Sequence, residues 1–178
     1  MSDASAAQEI IDLARRAVEF FVREECLLDV PSSLPAMLHR PAACFVSIKT
    51  NAGDLRGCIG TIEPVHKTLA EEIIANAVSA ATRDPRFPPV AAAELPSLCY
   101  SVDVLSDPAP ALLEELDPKV YGVIVEDESG LRRGLLLPDL EGVSTVDQQV
   151  SIAARKAGIP PTATLRLFRF RVERFRAD

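Results

Sequence analysis

The chain has 178 residues, 48% of them hydrophobic, with a net charge of −7. That length supports one substantial core, with a small appended lobe at most, and is too short for two ordinary domains. The acidic balance, the 5% aromatic content and the absence of Trp argue against a protein that grips phosphate backbones or stacks bases. The N-terminus has no basic region followed by an apolar run, and no stretch approaches the roughly 18 apolar residues of a membrane span. No membrane is expected as a partner, and the chain reads as cytoplasmic. Cys26, Cys44, Cys58 and Cys99 are widely spaced, which suits reduced thiols and gives no zinc-ligand spacing. His39 and His66 are the only histidines, so a His-rich metal site has almost nothing to be built from.

In chain order, Ser5-Ala6-Ala7-Gln8 has capping-box spacing. Apolar residues follow at helical intervals from Ile10 to Phe21, predicting a first helix that runs to about Glu25. Residues 27–41 read as a loop, with three prolines and the pair Ser32-Ser33. Residues 43–50 alternate as a strand, and Asn51-Ala52-Gly53-Asp54 turns the chain into an antiparallel hairpin.

The return strand is Leu55-Arg56-Gly57-Cys58-Ile59-Gly60. Alternation places Arg56, Cys58 and Gly60 on one face and Leu55, Gly57 and Ile59 on the other. A guanidinium beside a thiol favours thiolate, the nucleophilic form. Glycine weakens a strand and is placed where a ligand or another backbone comes close, so Gly57 and Gly60 join the site. Cys58 and Arg56 are the candidate catalytic pair; plain packing of the cysteine is the competing reading. Thr68-Leu69-Ala70-Glu71 caps a second helix, whose N-terminus could share an anion with Arg56, and His66 just before it is an acid-base candidate.

Arg83-Asp84-Pro85-Arg86-Phe87-Pro88-Pro89-Val90 is a stiffened loop. It reads either as an Asp-Arg clamp plugged by Phe87 or as a wall on which Asp84, Arg86 and Phe87 meet an acidic ligand. The expected geometry is Arg56 and Cys58 side by side in a hollow walled by this segment. Residues 98–104 form a third strand with Cys99, Ser101 and Asp103 on its polar face, and Asp103 is a buried carboxylate if that face is covered. Residues 107–118 read as a loop, and residues 120–125 and 131–137 as a second hairpin. Thr145-Val146-Asp147-Gln148 opens a third helix that stops at Gly158. In the last segment Leu165 and Leu167 fall on one face and Phe168, Phe170 and Val172 on the other, which a β-bulge near Leu167 would reconcile. Arg166, Arg169, Arg171 and Arg174 form the one basic run, read as a charged outer sheet face.

No internal repeat is evident, and two glycines three apart do not make a dinucleotide fingerprint, so no cofactor is expected. Helices and hairpins without regular strand-helix alternation predict an α+β fold, mostly antiparallel sheet flanked by helices with a second smaller lobe.

Leu55-Arg56-Gly57-Cys58-Ile59-Gly60, Asp84-Pro85-Arg86-Phe87-Pro88-Pro89, Glu94-Leu95-Pro96 and Leu135-Leu136-Leu137-Pro138 together resemble the AMMECR domain family. The likeness runs from Cys44-Phe45-Val46 to Ala154-Arg155-Lys156-Ala157-Gly158, nearly the whole chain. It implies one AMMECR-like domain over residues 1–178 with a larger and a smaller lobe, the boundary between them not assigned, and an Arg-Gly-Cys-Ile-Gly hallmark. It also implies partnership with a Memo-like protein and a radical-SAM enzyme, and a role in nucleotide or RNA modification. Where many relatives carry a Trp-Asp element, this chain has Val143-Ser144-Thr145-Val146-Asp147. Two functions of different class follow. One is an accessory component that binds a partner or a small anionic or nucleotide-like ligand. The other is a thiol-dependent enzyme with Cys58 as nucleophile, for which His66 is the nearest base.

Overall fold

The computed structural model describes residues 3–176. The chain is α+β and falls into two compact units, one made of the residues up to Val104 together with those from Arg174 onward, the other of Leu105–Glu173. The lobe boundary left open by the sequence therefore has two crossings.

In the first unit, α1 (Asp3–Glu24) lays Ile10, Leu13, Ala14, Ala17 and Val18 into the core. The helix already contains Asp3, so Ser5-Ala6-Ala7-Gln8 lies inside it and is not its cap. After a 3-10 turn (Ala36–His39), β1 (Cys44–Thr50) and β2 (Leu55–Gly60) form the expected hairpin. Its turn contains Gly53 at φ 92, a conformation glycine adopts without steric cost. In α2 (Leu69–Thr82) the Thr68 hydroxyl accepts the Glu71 N–H, and the Glu71 carboxylate accepts the Thr68 N–H in return. A 3-10 segment (Ala92–Ser97) leads into β3 (Leu98–Leu105). The sheet order is β2-β1-β3-β8, with β8 being Val172–Arg176. Cys44, Val46 and Ile48 of β1 turn into the same core as α1 and α2, as alternation requires.

The second unit repeats that plan. Following β4 (Ala109–Pro110) and a 3-10 turn (Leu113–Glu115), β5 (Gly122–Asp127) and β6 (Arg133–Leu136) make a hairpin. Then come α3 (Val146–Lys156), with a Thr145/Gln148 capping box, and β7 (Leu165–Phe170). Gly158, at φ 66, follows the helix end. The sheet order β4-β7-β5-β6 mirrors the first. Each return strand, β3 or β7, pairs with the first strand of its own hairpin, and each is followed by a strand that joins the other sheet. No repeat was visible in the residues, yet the topology is duplicated.

The β-bulge expected near Leu167 is not formed. β7 runs in unbroken register against β5, Leu165 opposite Asp127 through Phe170 opposite Gly122. Both of its faces are used: Leu165 and Leu167 pack with Val123, Val125 and Ala153, while Phe170 is buried on the opposite face. Among the described residues, no helix is long and apolar enough to cross a membrane.

Candidate functional site

β2 is an edge strand, so alternate backbone N–H and C=O groups along it point away from the sheet and need partners. The proline-bearing segment supplies them. Asp84, 4% exposed, accepts the Cys58 N–H at 2.9 Å and is gripped by Arg86 through Nε at 2.9 Å and Nη2 at 2.6 Å. It also accepts the Arg86 N–H at 3.1 Å. The Arg86 guanidinium, outweighing the opposing effect of burial and helped by the Cys58 and Arg86 N–H groups, holds the Asp84 carboxyl far below its usual range.

A register shift between Ile48 and Lys49 leaves Arg56 as the extra residue of a bulge. Its guanidinium does not turn to the thiol. Nε and Nη2 donate to the Glu94 carboxylate at 2.7 and 3.0 Å, and Nη1 donates to the Pro88 carbonyl at 2.9 Å. The Arg56 hydrogen bonds are also the main reason the Glu94 carboxyl titrates below its ordinary value. Two guanidinium groups approach the Phe87 ring, Arg56 at 5.9 Å and Arg86 at 5.5 Å from its centroid. Arg56 is thus the buckle that straps the segment to β2. Arg86 is the arginine that reaches Cys58, through Asp84 and the Cys58 backbone N–H.

The glycines admit neighbouring protein. A Cβ on Gly57 would stand 2.1 Å from the Ala80 carbonyl oxygen of α2, and one on Gly60 would stand 2.2 Å from the Phe45 ring. His66 is exposed, and its backbone N–H donates to Glu72. The expected cluster therefore separates: Cys58, Asp84, Arg86 and Phe87 come together, Arg56 joins through Phe87 and the prolines, and His66 belongs to the loop before α2.

What surrounds the thiol is a polar row across three strands. Cys58 faces Ser47 on β1, which faces Ser101 on β3; directly opposed residues share a face. The Ser47 hydroxyl donates to the Cys58 sulfur at 3.2 Å, and all three residues are partly exposed. On the same face Asp103 is buried, as anticipated, and takes a bidentate pair from Arg174 at 2.7 and 3.0 Å. Arg174 therefore leaves the basic run read as an outer face. Cys44 lies on the core side, where burial pushes its thiol up to about 12.

Sequence reasoning missed the polar residues inside the core. Glu72, 1% exposed, accepts from the Thr61 hydroxyl and from the Val65 and His66 N–H groups at 2.6 to 2.9 Å. Asn76, one turn on, donates to the Cys44 carbonyl at 3.0 Å. The available signal was the position of both on the apolar stripe with Leu69 and Ile73. No group of three His, Cys, Asp or Glu able to hold a metal occurs among the described residues.

Comparison with known proteins agrees with this architecture. A Thermotoga maritima protein is 49% identical over 166 residues, 92% of this chain and 94% of that one. A Methanothermobacter thermautotrophicus protein is 38% identical over 184 residues, 95% and 93% of the two chains. A Clostridium acetobutylicum protein, CA_C1420, is 46% identical over 92% of this chain, but the match spans only 35% of its own length. The crystal structure of the uncharacterised protein PH0010 from Pyrococcus horikoshii superposes with a TM-score of 0.86 at 29% identity, covering 96% of this chain and 90% of that one. The AMMECR1 profile matches residues 11–178, and the chain belongs to the AMMECR1 family.

Proposed function

We propose that this protein is a binding accessory component of a Memo/radical-SAM type modification system, and that it presents a partner or a small anionic or nucleotide-like ligand on the strand face carrying Cys58. The observation that carries this reading is the company the sulfur keeps. It receives a hydrogen bond from Ser47, a neutral hydroxyl and no base, on a strand fixed at its edge by Asp84. Such a face is rigid and polar, which suits recognition. The family relative in which the matched region makes up 35% of the length is in keeping with a module that works beside further protein.

The test is capture of a Memo-like protein and a radical-SAM enzyme from the same genome by the purified chain. Cys58→Ser keeps capture, because the face retains its shape and polarity. Ser47→Trp, which fills the middle of the row, abolishes it; undiminished capture by Ser47→Trp would place the interface elsewhere.

A second reading, thiol-dependent catalysis by Cys58, is favoured by one specific feature: the sulfur is partly exposed and held by a hydrogen bond from the Ser47 hydroxyl, and a positioned, accessible thiol is what a nucleophile needs. Ligand turnover that is lost in Cys58→Ser and retained in Cys99→Ser would establish it.

A further inference from the structure

The second unit holds two guanidinium groups that are fixed in place without being neutralised. Arg169 and Arg171 each lie 4.8 Å from the centroid of the Tyr121 ring. Arg169 Nη1 donates to the Glu115 carbonyl at 3.0 Å and Arg171 Nη2 to the Tyr121 hydroxyl at 3.0 Å. The Arg171 backbone is locked to Ser106, its N–H donating to the serine hydroxyl and its carbonyl accepting the Ser106 N–H, both at 2.9 Å. Tyr121 is held just as firmly: its N–H donates to the Asp117 carbonyl at 2.8 Å, and its carbonyl accepts from Gln149, a fully buried side chain, at 2.8 Å. Every one of these partners is neutral. Among the described residues no carboxylate pairs with either guanidinium, although Arg56, Arg86, Arg166 and Arg174 all have one and the chain carries 26 Asp and Glu.

Two cations stacked on one ring repel each other, and a dianion between or beside them removes that repulsion while using the free N–H groups of both forks. We propose that Arg169, Arg171 and Tyr121 form a binding site for the phosphate of a small phosphomonoester, a role separate from that of the Cys58 face. Two fixed positive charges match one dianionic phosphate. The stretch that holds Arg169 also exposes Glu114, Glu115 and Asp117, and these repel the continuing charge of a polynucleotide.

The chain contains two tyrosines and no tryptophan, and Tyr100 is buried in the first unit, so fluorotyrosine labelling of the full chain gives two fluorine signals, assigned by Tyr121→Phe. Titration with AMP and with inorganic phosphate shifts the Tyr121 signal to saturation and leaves Tyr100 in place. Sodium chloride at equal ionic strength produces no saturable shift. Arg171→Gln and Arg169→Gln each weaken AMP by at least about tenfold, with folding verified by an unchanged far-ultraviolet circular dichroism spectrum and denaturant midpoint, while Arg132→Gln leaves the affinity intact. The proposal is overturned if AMP and phosphate act no more strongly on wild-type protein than chloride does. It is equally overturned if folded Arg171→Gln binds AMP as wild type does, or if single-stranded RNA saturates the signal while AMP does not.

Discussion

The two hairpin-helix regions, β1-β2-α2 and β5-β6-α3, solve the same packing problem with different side chains, and the contrast separates what the Arg-Gly-Cys-Ile-Gly segment does for the fold from what it leaves over for function. In each, a glycine of the hairpin's second strand lets a helix backbone come close: Gly57 meets the Ala80 carbonyl and Gly134 the Ala153 carbonyl, at 2.1 and 2.2 Å from where a Cβ would be. In each, the preceding arginine stacks on a phenylalanine and faces a glutamate, Arg56 with Phe87 and Glu94, Arg133 with Phe168 and Glu126. Arg-Gly is therefore a structural step used twice. The difference comes one residue later. Cys58 opposite Ser47 is polar and partly exposed, whereas Leu135 opposite Ile124 is buried and apolar. By subtraction, the thiol face is what the first region adds.

Both regions depend most heavily on their glycines. Gly57→Ala and Gly134→Ala each force a methyl against a helix carbonyl that cannot rotate away, and each is expected to cost about 3 kcal/mol, read from the denaturant midpoint with unchanged slope. A loss under about 1 kcal/mol at only one of them would mean that the two helices are not held by the same device.

The strand edges are satisfied by opposite charges. The Cys58 N–H is satisfied by an anion, Asp84, and the Leu135 carbonyl by a cation, Lys156 Nζ at 3.0 Å. Asp84→Ala leaves that N–H orphaned and is expected to cost about 2 kcal/mol at pH 7. The folded Asp84 carboxyl titrates below its unfolded value. Its contribution is thus full above the unfolded value of about 4 and is lost as pH falls through the folded one. The stability gap between wild type and Asp84→Ala should narrow on acidification below about pH 4, while the gap for Lys156→Ala stays constant over the same range. A gap for Asp84→Ala that held steady into acid would remove the carboxylate from the strap.

A smaller effect is expected at the arginines. Arg56→Ala should cost about 1 kcal/mol, because Glu94 is 37% exposed and water replaces part of the pairing. Its sharper signature is proteolysis: cleavage within residues 83–90 should accelerate in Arg56→Ala and stay slow in Cys58→Ser. Equal protection in both would leave the prolines holding the loop unaided.

How much of this was legible in the residues depends on the range of the interactions. The caps at Thr68 and Thr145 and the stop at Gly158 rest on hydrogen bonds within one turn, so spacing alone located them. The strand faces followed from alternation, which placed Cys58 and Ser101 correctly. Arg56 misled because its partner, Glu94, is 38 residues away and because a bulge has no strong local signature. Ser5-Ala6-Ala7-Gln8 misled in the other direction, a good local motif overridden by a helix that began earlier. Leu165 and Phe168 suggested a bulge only on the assumption that one face of β7 was solvated; both faces are packed. The exchange of edge strands between the sheets is a property of the whole chain and leaves no mark in any window.

The finest discrimination is at the thiols, and it decides between the two readings of Cys58. With native protein and a small alkylating reagent, exposed Cys26 and Cys99 should react first and partly exposed Cys58 more slowly. Cys44 should not react, since it is buried and its thiol, pushed up to about 12, remains protonated at pH 8. In a Cys26→Ser, Cys99→Ser background the pH dependence of the remaining rate belongs to Cys58. A plateau reached well below the ordinary thiol value of about 8.5 is what a nucleophile requires, and it should then collapse in Arg86→Ala. A rate still climbing at that pH, with stability changed by less than about 0.5 kcal/mol in Cys58→Leu, leaves the residue as part of a recognition face, since the fold of the second region shows that a leucine at this place in the plan packs without difficulty.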